Sequence, residues 1–518
     1  MTKMNSTTTI EQLNQPGQPE WEIVIGLEIH AQIASNAKLF SGSAVGGSNA
    51  PNSRVSFLDA GMPGILPVVN SKCIDAAIKT GLGLHGTINK LSIFDRKNYF
   101  YPDLPSGYQI SQFFHPIVSG GYVECADDDS APAPDHDSDP DNNTVKRFGI
   151  TRIHLEQDAG KCIHDVDPQK SYVDLNRSGV ALMEIVTEPD MRSVPQAVSV
   201  AKKIHTLVRY LGVCDGNMEL GNFRIDANIS VHKPGTPFGT RVEIKNLNSF
   251  RFMQAALSYE IERQIMVVES GGSVVQETRL FDSNIGVTST MREKEDASDY
   301  RYFPDPDLRP IILSQDRIQA IKDSMPELPD DRKARLIDKC FLNEYDADII
   351  SCDRQIGEFY DAVMLFDGFK DRKAAYKAVA NWIIGDLFAA IKDEGISFSE
   401  VKLLPLTLAK LVALIQDGTI SVTAGKKVFA KLLDGGVADP AEIVESVGLR
   451  QISDESEIRA VVLQVINDYH NAAAAYRAGK ISTFGFFVGH VMKRFSGRAN
   501  PDVVNKVLRA ELEASPQN

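Results

Sequence analysis

The 518-residue chain has no Gly-x-x-x-x-Gly-Lys-[Ser/Thr] loop, no Gly-x-Ser-x-Gly elbow and no Cys-x-x-Cys pair. The first absence excludes a P-loop nucleotide site and the second an α/β-hydrolase nucleophile. The third argues against a structural zinc site or a disulfide framework, and six scattered cysteines fit a reducing compartment. None of them sits in an activating context, so the chain has no obvious nucleophile for hydrolysing an amide itself. No unbroken apolar run approaches the ~18 residues of a membrane helix, and no membrane is expected as a partner. The first twenty residues hold one Lys, no Arg and no apolar block. They resemble neither a secretory signal nor a transit peptide, and 1–20 is read as a flexible lead-in. That tilts the expected location to the cytoplasm, with a mitochondrial matrix as the alternative.

Positive charge is also scarce. A net charge of -14 excludes attraction of nucleic acid by the whole surface and leaves only a local basic patch. Part of the acidity lies in 126–143, where seven Asp stand among Pro, Ser and Asn. With almost nothing apolar to bury, this stretch is expected to be a disordered loop. The reversal comes at the far end. Arg477, Lys480, Lys493, Arg494, Arg498, Lys506 and Arg509 face a single acid, Asp502. Such a run is either a footprint for nucleic-acid backbone or a solvated helical face.

What is present divides by texture. Residues 21 to about 300 alternate in short segments broken by Gly, Pro and Asn, as strands do. From about 314 the apolar residues recur at helical spacing, as at Ala375, Val379, Trp382, Ile383, Leu387 and Ile391. The prolines of 305–310 mark the switch, and Asp417-Gly418 suggests a second boundary. The expected class is α+β.

The strands share a polar face. In 23–33, Ile23, Ile25, Leu27, Ile29, Ala31 and Ile33 alternate with positions that include Glu28, His30 and Gln32. Side chains two apart point the same way, so Glu28 and His30 lie together. The same rule groups Arg152, His154, Glu156 and Asp158; Arg224, Asp226, Asn228 and Ser230; and Arg241, Glu243 and Lys245. These faces are either the solvated side of an antiparallel sheet or the wall of a shared polar cavity. Asp and Asn are poor strand formers, and residues set against local propensity favour the cavity. Glu28, His30 and Glu156 offer oxygen and imidazole to a divalent ion; Mg²⁺ tolerates one His if waters and phosphates complete the shell. The alternative for His30 is an ordinary hydrogen-bonded histidine. Arg96, Lys97, Arg224, Arg241 and Lys245 supply cations for phosphate. Lys97 sits in 94–103, where charge and aromatics alternate, as in a loop that stacks on a base or as in an amphipathic edge strand. Gly81-Leu-Gly-Leu-His-Gly86 follows a helical stretch rather than a strand and is read as a helix end.

Taken in order, several strings are similar to the B-subunit family of tRNA-dependent amidotransferases. They include Val24-Ile-Gly-Leu-Glu-Ile-His30, Phe94-Asp-Arg-Lys-Asn-Tyr-Phe-Tyr-Pro-Asp103, His154-Leu-Glu-Gln-Asp-Ala-Gly-Lys161 and Glu184-Ile-Val-Thr-Glu-Pro-Asp190. Further ones are Glu243-Ile-Lys-Asn-Leu-Asn-Ser-Phe250, Asp299-Tyr-Arg-Tyr-Phe-Pro-Asp-Pro-Asp307 and Gly485-Phe-Phe-Val-Gly-His-Val-Met-Lys493.

The resemblance implies a cradle-shaped antiparallel-sheet domain over 21–310, a helical domain over 311–417 and a tRNA-gripping tail over 418–512. It implies a ligase that forms a carbon–nitrogen bond with glutamine as amido donor. ATP would phosphorylate the side-chain carboxylate of Glu-tRNA(Gln) or Asp-tRNA(Asn), and ammonia would displace the phosphate. A partner amidase, the A-subunit of the complex, would supply the ammonia, and a small C-subunit would complete a heterotrimer. On this reading Glu28, His30 and Glu156 hold Mg²⁺, Lys97, Arg224 and Lys245 meet phosphate, and Lys493, Arg494 and Arg498 meet tRNA. Two positions depart from the family pattern: Gln157 stands where many relatives carry a second acid, and Leu220 where an acid is common. A bulge could bring Gln157 to the ion. A non-catalytic scaffold that only presents tRNA is the alternative function.

Overall fold

The computed structural model describes residues 21–47, 50–126, 145–167, 169–293, 300–435 and 439–514. The lead-in 1–20 and all of the acidic segment 126–143 except Ala126 lie outside them. The chain forms two compact units, Met1–Leu328 and Pro329–Asn518.

The first unit is built on a ten-stranded sheet. From one edge its order is Val287–Glu293, Glu277–Asp282, Val242–Leu247, Phe223–His232, Glu22–Gln32, Ala181–Thr187, Val145–Gln157, Val118–Ser119 and Thr87–Ile88. Tyr122–Ala126 also pairs with Val145–Gln157. Alternation sends Ile25, Leu27, Ile29 and Ala31 to one face, where they are fully buried. Helices Ser71–Gly83, Val194–Tyr210 and Phe250–Glu269 contribute to the same core. Each begins where the sequence supplies an oxygen for an unpaired helical N–H: Asn70 accepts from Lys72, Ser193 from Gln196 and Ser249 from Phe252. Burying each strand leucine or isoleucine there contributes about 1.5–3 kcal/mol.

Two features differ from the reading of the sequence. The sheet is antiparallel except at one place, since Val242–Leu247 and Glu277–Asp282 run parallel. Helix Phe250–Glu269 supplies the long return that a parallel pair requires. The unit also continues past the prolines of 305–310. Phe303–Pro304 pairs with Asp95–Asn98, Ile311–Ile312 pairs with Leu91–Ser92, and Ile318 and Ile321 join the first core. Those prolines therefore punctuate an extended segment that returns to the sheet domain.

In the second unit the boundary suggested at 417 falls inside a core. Gly418 takes a left-handed turn (φ 81°) between helices Pro405–Gln416 and Val422–Gly435. Leu408, Leu411, Ile420, Val428, Phe429 and Leu432 share one cluster that extends to Val444. A separate cluster joins Glu455–Asp468, Phe484–Arg494 and Pro501–Glu513. Among the described residues, one helical stretch, Arg372–Glu394, has the length and hydropathy of a membrane span. It nonetheless carries Lys377, paired with Asp346, and Asp386, paired with Lys426, and buries Ala375, Val379, Ile383 and Leu387 in this core.

Segment 50–66 has little regular structure, yet it is firmly tied. Lys38 is fully buried, and its ammonium donates to Asp59 at 2.9 Å. Asp59 also accepts from the Ser56 N–H, and Gly179 (φ 80°) lies so close that a Cβ there would stand 2.5 Å from an Asp59 oxygen. Removing one partner strands a charge without water. Asp59→Ala is expected to cost about 3–5 kcal/mol, read as a lower urea midpoint, whereas replacing Lys38 and Asp59 together by Met and Leu should recover most of that loss. An unchanged midpoint for Asp59→Ala would show that the ammonium finds solvent.

Candidate active site

The polar face of the sheet acquires its geometry from strand register. His30 lies opposite Arg224 on one neighbour and Glu184 on the other, and Glu184 lies opposite His154. Glu28 faces Asp226 and Val186, while Glu156 faces Leu182. Four strands thus bring acids and imidazoles into adjacent rows.

His30, Glu156 and Glu184 each place one ligand atom within 4.8 Å of the others. His30 Nδ1 is 3.4 Å from Glu156 Oε1 and 3.9 Å from Glu184 Oε2, and its Nε2 is 3.8 Å from Asp226. His154 Nε2 stands 3.2 Å from Glu184 Oε2. His30 Nδ1 is buried and makes no well-aligned hydrogen bond, although both carboxylates lie within ion-pair distance of it. Two carboxylates and an imidazole fit a divalent cation that keeps water or phosphate oxygens as its remaining ligands.

Of the sequence-derived trio, His30 and Glu156 meet. Glu28 lies on the same face, where its Oε1 accepts from Asn228 at 2.9 Å, and it is not one of the three clustered groups. Glu184 completes the cluster, and reading the sequence missed it as a ligand. It stands in Ala-Leu-Met-Glu-Ile-Val-Thr, an apolar strand with one charge, and that lone acid was the available signal. Gln157 pairs with Ala181 in a register unbroken from Gln157 to Arg152, so no bulge turns it toward Glu156.

The electrostatics follow from crowding. Burial alone would lower the pKa of His30, but Glu156, Glu184 and Asp226 around it raise it to about 9. Burial works to raise Glu184, yet His154, His30 and Lys97 hold it well below the usual carboxylate range. Glu156 is likewise lowered against its burial, chiefly by His30. Glu28 is raised by burial and then by Glu184. At neutral pH the His30 imidazolium therefore occupies the place of a cation between two carboxylates.

The three expected phosphate cations are differently placed. Lys97, on strand Asp95–Asn98, lies with its ammonium 5.0 Å from the centre of the Tyr300 ring, and Glu156, Tyr302 and Glu184 raise its pKa against the effect of burial. Arg224 donates to Asp158 at 3.2 Å, and Lys245 pairs with Asp226 and, at 2.9 Å, with Glu243. Beside Lys97 opens a cavity of about 1040 Å³ lined by Tyr99, Phe100, Asp103, Tyr300 and Phe303, large enough for a nucleotide. In the second unit Lys493, Arg494 and Arg498 are all exposed. Arg494 pairs with Asp468, and Arg498 reaches the Gly448 carbonyl at 3.5 Å.

Residues 23–319 match the family model described as the GatB/GatE catalytic domain, and residues 364–512 match the one described as the GatB domain. The chain is 50% identical over 495 residues to a Hydrogenovibrio crunogenus protein named as the B-subunit of an aspartyl/glutamyl-tRNA(Asn/Gln) amidotransferase. The match covers 95% of this chain and 100% of that one. Proteins of the same name from Zymomonas mobilis and Rickettsia bellii are 50% and 48% identical, each across 95% of this chain and 98% of their own length.

A cation can bind His30 only after displacing its proton, and below about pH 9 that proton is present. Affinity for Mn²⁺ should therefore climb by about tenfold per pH unit between pH 7 and 9, with release of one proton, and calorimetry in buffers of different ionisation enthalpy reads both. Glu184→Gln should weaken binding, whereas a flat pH profile would place the ion elsewhere.

Proposed function

The chain belongs to the B-subunit family of the tRNA-dependent aspartyl/glutamyl amidotransferases, and from that premise we propose that its polar sheet face phosphorylates the side-chain carboxylate of a misacylated tRNA and then amidates it. The observation that carries this reading is the convergence of His30, Glu156 and Glu184 within 4.8 Å, beside Lys97 and the 1040 Å³ cavity.

A side-chain carboxylate resists ammonia because its leaving group would be oxide. Transfer of the γ-phosphoryl of ATP to that carboxylate supplies a better one, and the transfer needs positioning and charge neutralisation more than covalent help from the protein. His30, Glu156 and Glu184 would hold Mg²⁺, which when bound neutralises phosphate charge in the manner common to phosphoryl transfer. Lys97, its ammonium close to the acidic group, meets the phosphoryl oxygens first. Arg224 and Lys245, both partly exposed, add positive charge at the rim while Asp158 and Asp226 fix their positions. Glu28 keeps Asn228 oriented and adds negative charge beside the ion.

Ammonia then attacks the acyl phosphate, forming the amide and releasing phosphate. Exclusion of water at this stage prevents hydrolysis of the activated carboxyl group. The relatives are named as B-subunits, which supports a larger assembly. Its other members would be an amidase (the A-subunit) that hydrolyses glutamine and a small C-subunit. The exposed Lys493, Arg494 and Arg498 are proposed to hold tRNA by its backbone. A scaffold that merely presented tRNA would have no use for largely buried carboxylates aimed at one point.

Phosphate release by the purified complex with ATP should rise when Glu-tRNA(Gln) or Asp-tRNA(Asn) is added. His30→Ala and Glu184→Gln should each remove ~10²-fold or more of that release, the scale seen when an electrostatic contact to a reacting group is lost. Release that is indifferent to tRNA, or to both substitutions, would reject the phosphorylating role. For the tail, Lys493→Ala with Arg494→Ala and Arg498→Ala should weaken tRNA binding and flatten its dependence on salt by roughly 0.9 in logarithmic slope per lost phosphate contact. An unaltered slope in filter binding would assign these residues to a solvated face only.

A further inference from the structure

Strand Asp95–Asn98 carries different chemistry on its two faces. Successive side chains alternate, so Lys97 points to one side and Arg96 and Asn98 to the other. Arg96, a candidate phosphate cation by sequence, is committed elsewhere. Its Nε donates to Asp305 at 2.9 Å, its Nη2 donates to Asp307 at 2.8 Å, and its guanidinium lies 4.2 Å from the centre of the Tyr108 ring. Asp305 is only 3% exposed, so the pair is largely out of water. A planar fork gripped by two acids and a ring fixes direction as well as distance.

Both acids belong to segment 300–307, which lies along the strand. The Asp305 N–H donates to the Phe94 carbonyl at 2.8 Å, Phe303 pairs with Arg96, and the Asn98 N–H donates to the Tyr300 carbonyl at 2.9 Å. The Asn98 side chain also donates to the carbonyls of Tyr300 and Arg301, at 3.0 and 2.9 Å. Arg301 takes a left-handed φ of 44°. That conformation is unfavourable for a non-glycine residue and persists only where its surroundings impose it. The segment is thus held at both ends, by Asn98 at 300–301 and by Arg96 at 305–307. Its rings reach the other side of the strand. The centre of the Tyr300 ring is 5.0 Å from Lys97 Nζ, and Tyr302, 6.1 Å from Tyr300, stacks on Phe113 at 4.1 Å.

We propose that Arg96 is the latch that positions Lys97: it fastens segment 300–307 across the strand, and Tyr300, braced by Tyr302, then confines the Lys97 ammonium beside the His30, Glu156 and Glu184 group. The proposal rests on the function given above and adds a positioning residue that itself touches neither substrate nor ion. An ammonium on a flexible four-carbon stem samples many rotamers unless something packs against it. A ring held at cation–π distance removes most of them, so the charge is in place before the phosphoryl group arrives.

Arg96→Ala leaves Asp305 as a lone buried charge, so it is compared with Arg96→Met plus Asp305→Asn, in which no charge is stranded. In the assembled complex both should free the segment. Brief acetylation with acetic anhydride, read by mass spectrometry, should then modify Lys97 several-fold faster relative to Lys202, which is exposed on helix Val194–Tyr210. Phosphate release with ATP and mischarged tRNA should fall by about 10²-fold, the scale of a misplaced reacting group. It should fall no further when the same changes are made on Lys97→Ala, because both act at one point. Losses that multiply, or labelling of Lys97 that does not change, would overturn the latch. Faster labelling with phosphate release unaltered, in these variants and in Lys97→Ala alike, would uphold the latch and remove Lys97 from the reaction.

Discussion

Placing Glu156 and Glu184 in adjacent rows of a sheet, nearly out of reach of water, would be strongly unfavourable if nothing positive faced them. His30 sits between them and takes up a proton well above neutrality, Lys97 adds positive charge nearby, and the His154 ring stands 3.2 Å from Glu184. The balance is local, and its members come from four separate strands. A region that holds its charge in this way is already organised for a cation. On the proposed function, exchanging a proton on His30 for a divalent ion would keep one cationic group between the carboxylates, so little reorganisation would accompany binding.

The opposite face of the same strands makes this possible. Ile25, Leu27 and Ile29 alternate with Glu28 and His30, and register on that apolar side is fixed by packing against helices. A slip of one residue would exchange the two faces, burying Glu28 and His30 in the core. The position of the polar side chains is therefore secured by apolar ones on the opposite face. The Arg224–Asp158 and Lys245–Asp226 pairs act in the same spirit at the edge of the group, tying cations to acids so that neither collapses onto the centre.

Much of this was legible in the sequence. Alternation in 23–33, 152–158 and 224–231 gives the strands, the polar face and the neighbourhood of His30 and Glu156, because a period of two is local information. Glu184 was not legible as a ligand, since its role depends on which strand lies beside which, and Ala181–Thr187 looks like a buried strand with one stray charge. Glu28 was legible as part of the face, whereas its tie to Asn228 depends on the pairing of strands far apart in sequence. The boundaries at 310 and 417 rested on Pro and Gly. These residues mark turns and extended segments whether or not a domain ends there, as Gly418 does between two helices of one core. The parallel pair was hidden for a similar reason: direction is set by the connection, not by the strand itself.

The first strand of the sheet has a further consequence during synthesis. Glu28 and its hydrogen-bond partner Asn228 are 200 residues apart in the chain, and both neighbours of Glu22–Gln32 are made long after it. At ribosomal rates of about 5–20 residues per second, this apolar segment waits on the order of ten seconds or more with both edges open. Nascent chains are thus most vulnerable to mispairing at Glu22–Gln32, and a chaperone that shields this strand would raise the yield more than one acting on the helical half.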